Sequence, residues 1–225
     1  MTARRIGLLG GTFDPIHRGH VDAACAAEAA LDLESVFVIT SHVPPHRAQP
    51  SASSYHRFAM AALAVRERAT WRALDVELRS TAPSYTAATL RRFHERGYAA
   101  AELFFIIGAD AFAEIETWKE YPALLDLCRF AVVSRPGHPA SQLAARMPRL
   151  APRMTRTPFE LGAAGAPTIV LIDAPTADVS STVIRQLRAR GQSIGGLVPE
   201  AVQQHIEQHA LYTPSRPGRR MVEHD

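Results

Sequence analysis

The densest chemistry in the chain lies in Gly10-Gly11-Thr12-Phe13-Asp14-Pro15-Ile16-His17-Arg18-Gly19-His20. A glycine pair lets the backbone come close to a ligand, because no Cβ stands in the way. A helix opening here would offer unpaired N–H groups and the positive end of its dipole, which suits a phosphate. His17 and His20 are three apart, so both can face one side of a first helical turn. Thr12 adds a hydroxyl. Together these residues make a seat for a polyanionic phosphate. The spacing is neither Gly-x-x-x-x-Gly-Lys-Ser/Thr nor Gly-x-Gly-x-x-Gly, so neither of those phosphate loops is present.

A second group is Ser180-Ser181-Thr182-Val183-Ile184-Arg185. A hydroxyl-rich helix start with an arginine in its first turns is another way to hold phosphate. Taken alone, a serine-capped helix with a surface arginine is the plainer reading of these six residues.

The elements that must position these groups can be read from the apolar pattern. Strand-like runs recur at Ile6–Leu9, Val36–Thr40, Trp71–Leu78, Leu103–Ile107, Phe130–Ser134 and Ile169–Ile172. Several are nearly unbroken in Val, Ile, Leu and Phe, as strands buried on both faces of a parallel sheet are. Helical segments separate them. An alanine-rich one runs from Val21 to Leu31. Ser54 is placed to cap one through Arg68, and Ser84 one from Tyr85 to Arg96 with Gly97 as its stop. Asp110 could cap a short helix after the fourth run. Ser180 or Ser181 could cap one ending at Arg190, closed by Gly191, and Pro199 suits the first turn of a last helix to Ala210. Alternating strands and helices predict an α/β fold, a Rossmann-like doubly wound parallel sheet with a small helical C-terminal part from about 180. Ligands then bind at the carboxyl ends of the strands, near a topological switch point. From Pro136 to Pro167 the pattern weakens into a surface excursion in which Ser141–Leu150 could be helical. The chain reads as one domain over 1–212, with a polar tail over 213–225 expected to be disordered.

Composition narrows the function classes. A chain of 225 residues that is 47% hydrophobic fits one globular α/β domain. No apolar run reaches 18 residues, so no membrane span is expected. The start Met1-Thr2-Ala3-Arg4-Arg5 leads into too few apolar residues for a secretory segment, and a cytoplasmic protein is expected. Cys25 and Cys128 fit no metal spacing and read as two buried thiols, so no residue is assigned to a resident metal. The net charge of +3 is mild. No basic stripe with interleaved aromatics appears, so nucleic acid is not an expected partner. A homo-oligomer is compatible with the sequence.

The run from Gly11 to His20 resembles, without a gap, the α/β nucleotidyltransferase signature Gly-Thr-Phe-Asp-Pro-x-His-x-Gly-His. Val179 to Arg185 resembles the second signature of that superfamily, Ile-Ser-Ser-Thr-x-Ile-Arg, with valine for the first isoleucine. Within the superfamily the chain is similar to the bacterial nicotinate mononucleotide adenylyltransferases. Val43-Pro44-Pro45-His46-Arg47 resembles that family's Pro-Pro-His-Lys loop, with arginine for lysine. Ser84-Tyr85-Thr86-Ala87-Ala88-Thr89-Leu90 resembles its Ser-Tyr-Thr-x-x-Thr-Leu. Gly108-Ala109-Asp110 with Trp118-Lys119, and Ser134-Arg135-Pro136-Gly137, resemble two more of its stretches.

The resemblance implies adenylyl transfer from ATP to nicotinate mononucleotide, giving the deamido dinucleotide and pyrophosphate in NAD biosynthesis. It implies that Gly10, Gly11, Thr12, Phe13, His17, His20, Gly108, Asp110, Ser181, Thr182 and Arg185 surround ATP. Of these, His17, His20 and Arg185 would act on the reacting phosphates, with Mg²⁺ carried by the substrate. Pro45, His46, Arg47, Tyr85, Thr86, Trp118, Lys119 and Arg135 would surround the mononucleotide, with Trp118 against the pyridine ring. The alternatives are an adenylyltransferase with another acceptor, such as phosphopantetheine, and a nucleotide sensor without turnover.

Overall fold

A computed structural model describes residues 4–42, 49–80, 82–157 and 169–214 of the chain. Its centre is strand β1, Ile6–Gly11, which runs straight into the glycine-rich stretch. Around it lie β2 (Ser35–Thr40), β3 (Trp71–Leu74), β4 (Leu103–Gly108), β5 (Arg129–Val133), β6 (Met154–Thr155) and β7 (Ile169–Ile172). All pairings are parallel, and the strand order is β3-β2-β1-β4-β5-β7-β6. The chain winds outward from β1 to β3, then returns to β4 and winds the other way. The switch point therefore falls between β1 and β4, with Gly10–Gly11 at the end of one strand and Gly108 at the end of the other.

Every strand but the two-residue β6 feeds two cores, as a parallel sheet covered on both faces requires. Leu9, Val36, Val38, Phe104, Ile106, Ala131, Val133 and Val170 belong to one. That face carries α1 (Arg18–Leu31), α2 (Ser54–Val65), α6 (Ser181–Ala189) and α7 (Glu200–Gln208). Leu8, Ile39, Phe105, Ile107, Phe130, Val132 and Leu171 belong to the other, covered by α3 (Thr86–Glu95), α4 (Ala109–Phe112) and α5 (Leu143–Arg146). In α1 the buried residues are Gly19, Ala23, Ala24, Ala27 and Leu31. Small side chains on that face let the helix lie close to β1 and fix its N-terminus over the glycines.

Several elements differ from the pattern-based expectation. The third strand stops at Leu74, not Leu78. It is an edge strand whose partner residues on β2 end at Ile39, and Asp75 then opens a turn closed by Leu78 N–H to the Asp75 carbonyl. Ser141–Leu150 is helical only as a 3₁₀ turn (Ala140–Gln142) and the single turn of α5. Pro148 forces Met147 out of the helical region, to φ −127 and ψ 65. The excursion also holds β6, two residues whose only signal would have been their pairing to β7. Ser53, not Ser54, caps α2 by accepting from His56 N–H. Tyr85 and Gly108, not Ser84 and Asp110, stand at the caps of α3 and α4. Ser180 caps α6 by accepting from Val183 N–H. Cys128 is buried and Cys25 half-buried. Residues 215–225 and the stretch Val43–Arg47 fall outside the described residues. Among the described residues no helix is long and apolar enough to cross a membrane.

Candidate active site

A cleft of about 560 Å³ opens at the carboxyl ends of β1 and β4, over the switch point. Its floor needs glycine. A Cβ on Gly11 would lie 2.7 Å from the Phe13 ring, and one on Gly10 3.2 Å from the Phe105 ring. Phe13 takes a left-handed backbone, φ 51, which turns its side chain down into the core, 1% exposed. It supports the loop from below, and its ring meets His20 edge-on at 5.1 Å.

The loop is braced by two residues that sequence reasoning did not assign. Arg57 of α2 is 1% exposed and donates to the carbonyls of Thr12 and Ser41 at 2.7 Å, His42 at 3.1 Å and Ala52 at 3.2 Å. The carboxylate of Asp14 accepts from Ser51 N–H at 2.7 Å, Ala52 N–H at 3.0 Å and the Tyr212 hydroxyl at 2.9 Å. The signal for Arg57 was faint: a charged residue on the apolar face of α2, three and four positions before the buried Met60 and Ala61. For Tyr212 there was none, since its partner lies at the far end of the chain.

His17 is the N-cap of α1, and its N–H donates to Nδ1 of His20 at 3.3 Å. The two rings stack with centroids 3.7 Å apart. His17 is only 3% exposed, and among the described residues its Nδ1 has no hydrogen-bond partner. Burial, with the nearby Arg135 cation, pushes its pKa down to about 3. It is therefore a neutral imidazole with a buried ring nitrogen still to be satisfied.

The second hydroxyl cluster is tied to the first loop. Ser181 Oγ donates to the Pro15 carbonyl at 2.9 Å. Arg185 donates to the Asp14 carbonyl at 2.7 Å and to Thr182 Oγ1 at 3.2 Å, and lies 3.8 Å from the Asp14 carboxylate. Arg135 donates to the Val179 carbonyl at 3.1 Å and packs where a side chain on Gly19 would be. It also lies against Gly108, where an added Cβ would meet Asp110 Oδ1 at 2.5 Å and Arg135 Cγ at 3.0 Å. So the histidines, Thr12, Arg135, Thr182 and Arg185 form one cationic, hydroxyl-rich rim. Asp110, in the first turn of α4, lies at the β4 end.

The other lobe of the cleft carries Trp118 and Thr86. Trp118 stands edge-on to Phe105 with centroids 6.1 Å apart. Thr86 is the first residue of α3. Tyr85 and Lys119 sit beside this lobe as a pair, with Lys119 Nζ 4.1 Å from the Tyr85 ring centroid. Pro45, His46 and Arg47 lie outside the described residues. Neither Tyr85 nor Thr86 has a carboxylate close by in sequence, but the fold brings Glu77 into the cleft wall. Thr89 Oγ1 donates to Glu77 at 2.5 Å, and burial raises the Glu77 pKa against the hydrogen bonds of Thr89 and Ser84 and the charge of Arg92. Ser84 Oγ in turn accepts from His42 N–H at 2.9 Å.

Among the described residues the carboxylates on the cleft wall are Asp14, Glu77 and Asp110. Asp14 and Glu77 are occupied by protein donors. This donor set does not fit a cage of protein oxygens for Mg²⁺; it fits Mg²⁺ carried on substrate phosphates and water.

Known proteins resemble this chain in sequence and in fold. A sequence family described as cytidylyltransferase-like matches residues 8–187. The chain is 41% identical, over 92% of its length and 94% of the relative, to a protein of Cronobacter sakazakii described as a probable nicotinate-nucleotide adenylyltransferase. It is 38% identical, over 91% of its length and 97% of the relative, to the nicotinate-nucleotide adenylyltransferase of Salmonella typhimurium. Among solved structures it is similar to the Plasmodium falciparum nicotinic acid mononucleotide adenylyltransferase complexed with NaAD. That match has a TM-score of 0.66 at 17% identity and covers 93% of this chain and 97% of that one.

Proposed function

The chain belongs to the cytidylyltransferase-like family, and from that premise we propose that its cleft joins ATP to nicotinate mononucleotide. The products are nicotinate adenine dinucleotide and pyrophosphate, a step of NAD biosynthesis. The phosphate oxygen of the mononucleotide attacks the α-phosphorus of ATP. The new P–O bond forms as the bond to the β-phosphate breaks, and pyrophosphate leaves with the electron pair. The nucleophile is already ionised at neutral pH, so no proton has to be removed and no general base is needed.

What remains for the protein is positioning and charge stabilisation. Thr12, His17, His20, Thr182 and Arg185 face the triphosphate from the rim; Arg135, which the family resemblance groups with the mononucleotide, lies against Gly19 and Gly108 and adds its charge where the two substrates meet. The neutral His17 presents an imidazole donor, not a proton. Mg²⁺ brought in with the triphosphate would add charge neutralisation to what these side chains provide. Gly108 lets the adenosine approach β4, with Asp110 as acceptor for the ribose hydroxyls. Trp118 faces the pyridine ring, and the N–H groups opening α3 near Tyr85 and Thr86 receive the nicotinate carboxylate. Pro45, His46 and Arg47 belong to the same half by their place in the sequence pattern.

One observation carries this reading. Ser181 and Arg185 are hydrogen-bonded to Pro15 and Asp14, which closes two separate phosphate-binding stretches into one rim beside an aromatic lobe. Pyrophosphate release, followed with ATP and a panel of nicotinate mononucleotide, nicotinamide mononucleotide and phosphopantetheine, tests it. Turnover with the nicotinate acceptor foremost is expected. Preference for phosphopantetheine would reassign the acceptor, and release with none of them would leave a sensor.

A further inference from the structure

Three histidines converge away from the cleft. His56 stands in the first turn of α2, His205 in the last turn of α7 and His209 at the C-cap of α7. One ring nitrogen from each lies within 4.8 Å of the other two. His56 Nδ1 and His205 Nε2 are 3.1 Å apart. The His205 and His209 ring centroids are 4.4 Å apart, and those of His56 and His209 4.9 Å. His209 N–H donates to the His205 carbonyl at 3.1 Å, so the helical turn continues and both rings leave one face of the helix. None of the three lines the nucleotide cleft.

Nothing in the proposed reaction uses this cluster, and three imidazoles facing one point repel one another once protonated. Three ring nitrogens converging on one point make a nitrogen donor set of the kind a borderline divalent transition ion binds. Zinc with bonds of roughly 2.0–2.1 Å in tetrahedral geometry holds its ligand nitrogens about 3.3 Å apart. The His56–His205 pair is already close to that spacing. His209 is exposed, and a swing of its ring brings it in. The bond between the His56 and His205 rings gives way to coordination by a change of tautomer. A hard ion such as Mg²⁺ prefers oxygen and has no call on such a site.

We propose that His56, His205 and His209 form a binding site for a zinc-class divalent ion that clips α7 onto α2. The consequence reaches the first loop. Arg57, next to His56, braces the Thr12 carbonyl, and Tyr212, three residues past His209, holds Asp14. The sequence assigned no resident metal because the histidines come from two helices far apart in the chain.

The test uses the untagged full chain, freed of metal with a chelator and kept in Mg²⁺ buffer, with Zn²⁺ alone as the probe. Calorimetric titration should show one site per chain with micromolar or tighter affinity. Zinc at about 100 times Kd should raise Tm by roughly 5–10 °C. His205→Ala and His209→Gln should weaken binding at least tenfold and abolish the shift, while leaving metal-free turnover and metal-free Tm close to wild type. His20→Ala should keep both the site and the shift. If His205→Ala proves unstable, the exposed His209→Gln decides alone. Absence of zinc binding by the wild type, binding that survives His209→Gln unchanged, or binding lost in His20→Ala would each overturn the proposal.

Discussion

His17 and His20 stack on one another but do different work. His17 is buried and neutral, while His20 sits at the cleft wall against the Phe13 edge. In the proposed reaction, with an anionic nucleophile, His20 would contribute a donor to the charge that grows as pyrophosphate leaves. His20→Ala should therefore lower kcat by about 10²–10³, the scale of one lost oxyanion-type donor, with smaller changes in substrate affinity. Steady-state kinetics with wild-type kcat would exclude that role. His17 gives a pH signature. Its folded pKa of about 3 lies below the ordinary 6.5, so the unfolded chain takes up a proton that the folded chain refuses. The stability tied to it is complete above pH 6.5 and falls as pH drops toward 3, by at most about 1.4 kcal/mol per pH unit. His17→Asn should flatten that fall, read from urea unfolding between pH 4 and 7; an unchanged slope would contradict it. The histidine spacing was legible in the sequence. The depressed pKa was not, because it needs burial and Arg135, which arrives from the end of β5.

In the proposed reaction the start of α3 is the element on which acceptor binding depends, and Glu77 is its strut. It accepts from Thr89 and Ser84, and Ser84 accepts from His42 on the opposite lip. Glu77→Ala should raise KM for nicotinate mononucleotide severalfold and leave KM for ATP nearly unchanged. Glu77→Gln keeps an acceptor for the Thr89 hydroxyl and should restore most of the loss. Equal damage to both substrates, or none, would show that the strut does not position α3. Glu77 sits in the segment read as a strand continuing to Leu78, where a carboxylate gave no cue to its partners. The parallel strands themselves were legible because β4, β5 and β7 are buried along almost their whole length and so are written almost wholly in apolar residues. Edge and excursion elements were not. The length of β3 is set by its neighbour β2, and α5 is cut short by Pro148, which lies inside the span Ser141–Leu150 that the sequence pattern allowed to be helical.

At the scale of the molecule, the site exists because the winding reverses between β1 and β4 and distant segments then lock the first loop. Arg57 is the centre of that lock. Arg57→Met keeps the stem but leaves the Thr12, Ser41, His42 and Ala52 carbonyls without their donor. The expected loss is on the order of 3–5 kcal/mol, read as a lower midpoint in urea unfolding. A loss below about 1 kcal/mol would mean that water replaces the guanidinium freely. The doubly wound sheet was legible in sequence, as were the two glycine- and hydroxyl-rich stretches that the fold joins, whereas the lock was not, since it joins α2, Asp14 and Tyr212 across the whole chain. The central claim is that this assembly selects the acid form of the acceptor. Stacking against Trp118 serves both pyridine rings alike, so discrimination falls to the N–H groups opening α3. A carboxylate accepts from two donors, whereas an amide leaves one unpaired at a cost of roughly 1–3 kcal/mol and forgoes a charge-assisted bond of similar size. The direct measurement is kcat/KM for nicotinate and nicotinamide mononucleotides on the wild type and on Trp118→Ala. The predicted result is a preference for the acid of about 10²-fold or more on the wild type, with both values lowered and their ratio nearly kept in the variant. Equal efficiency with acid and amide on the wild type would contradict it.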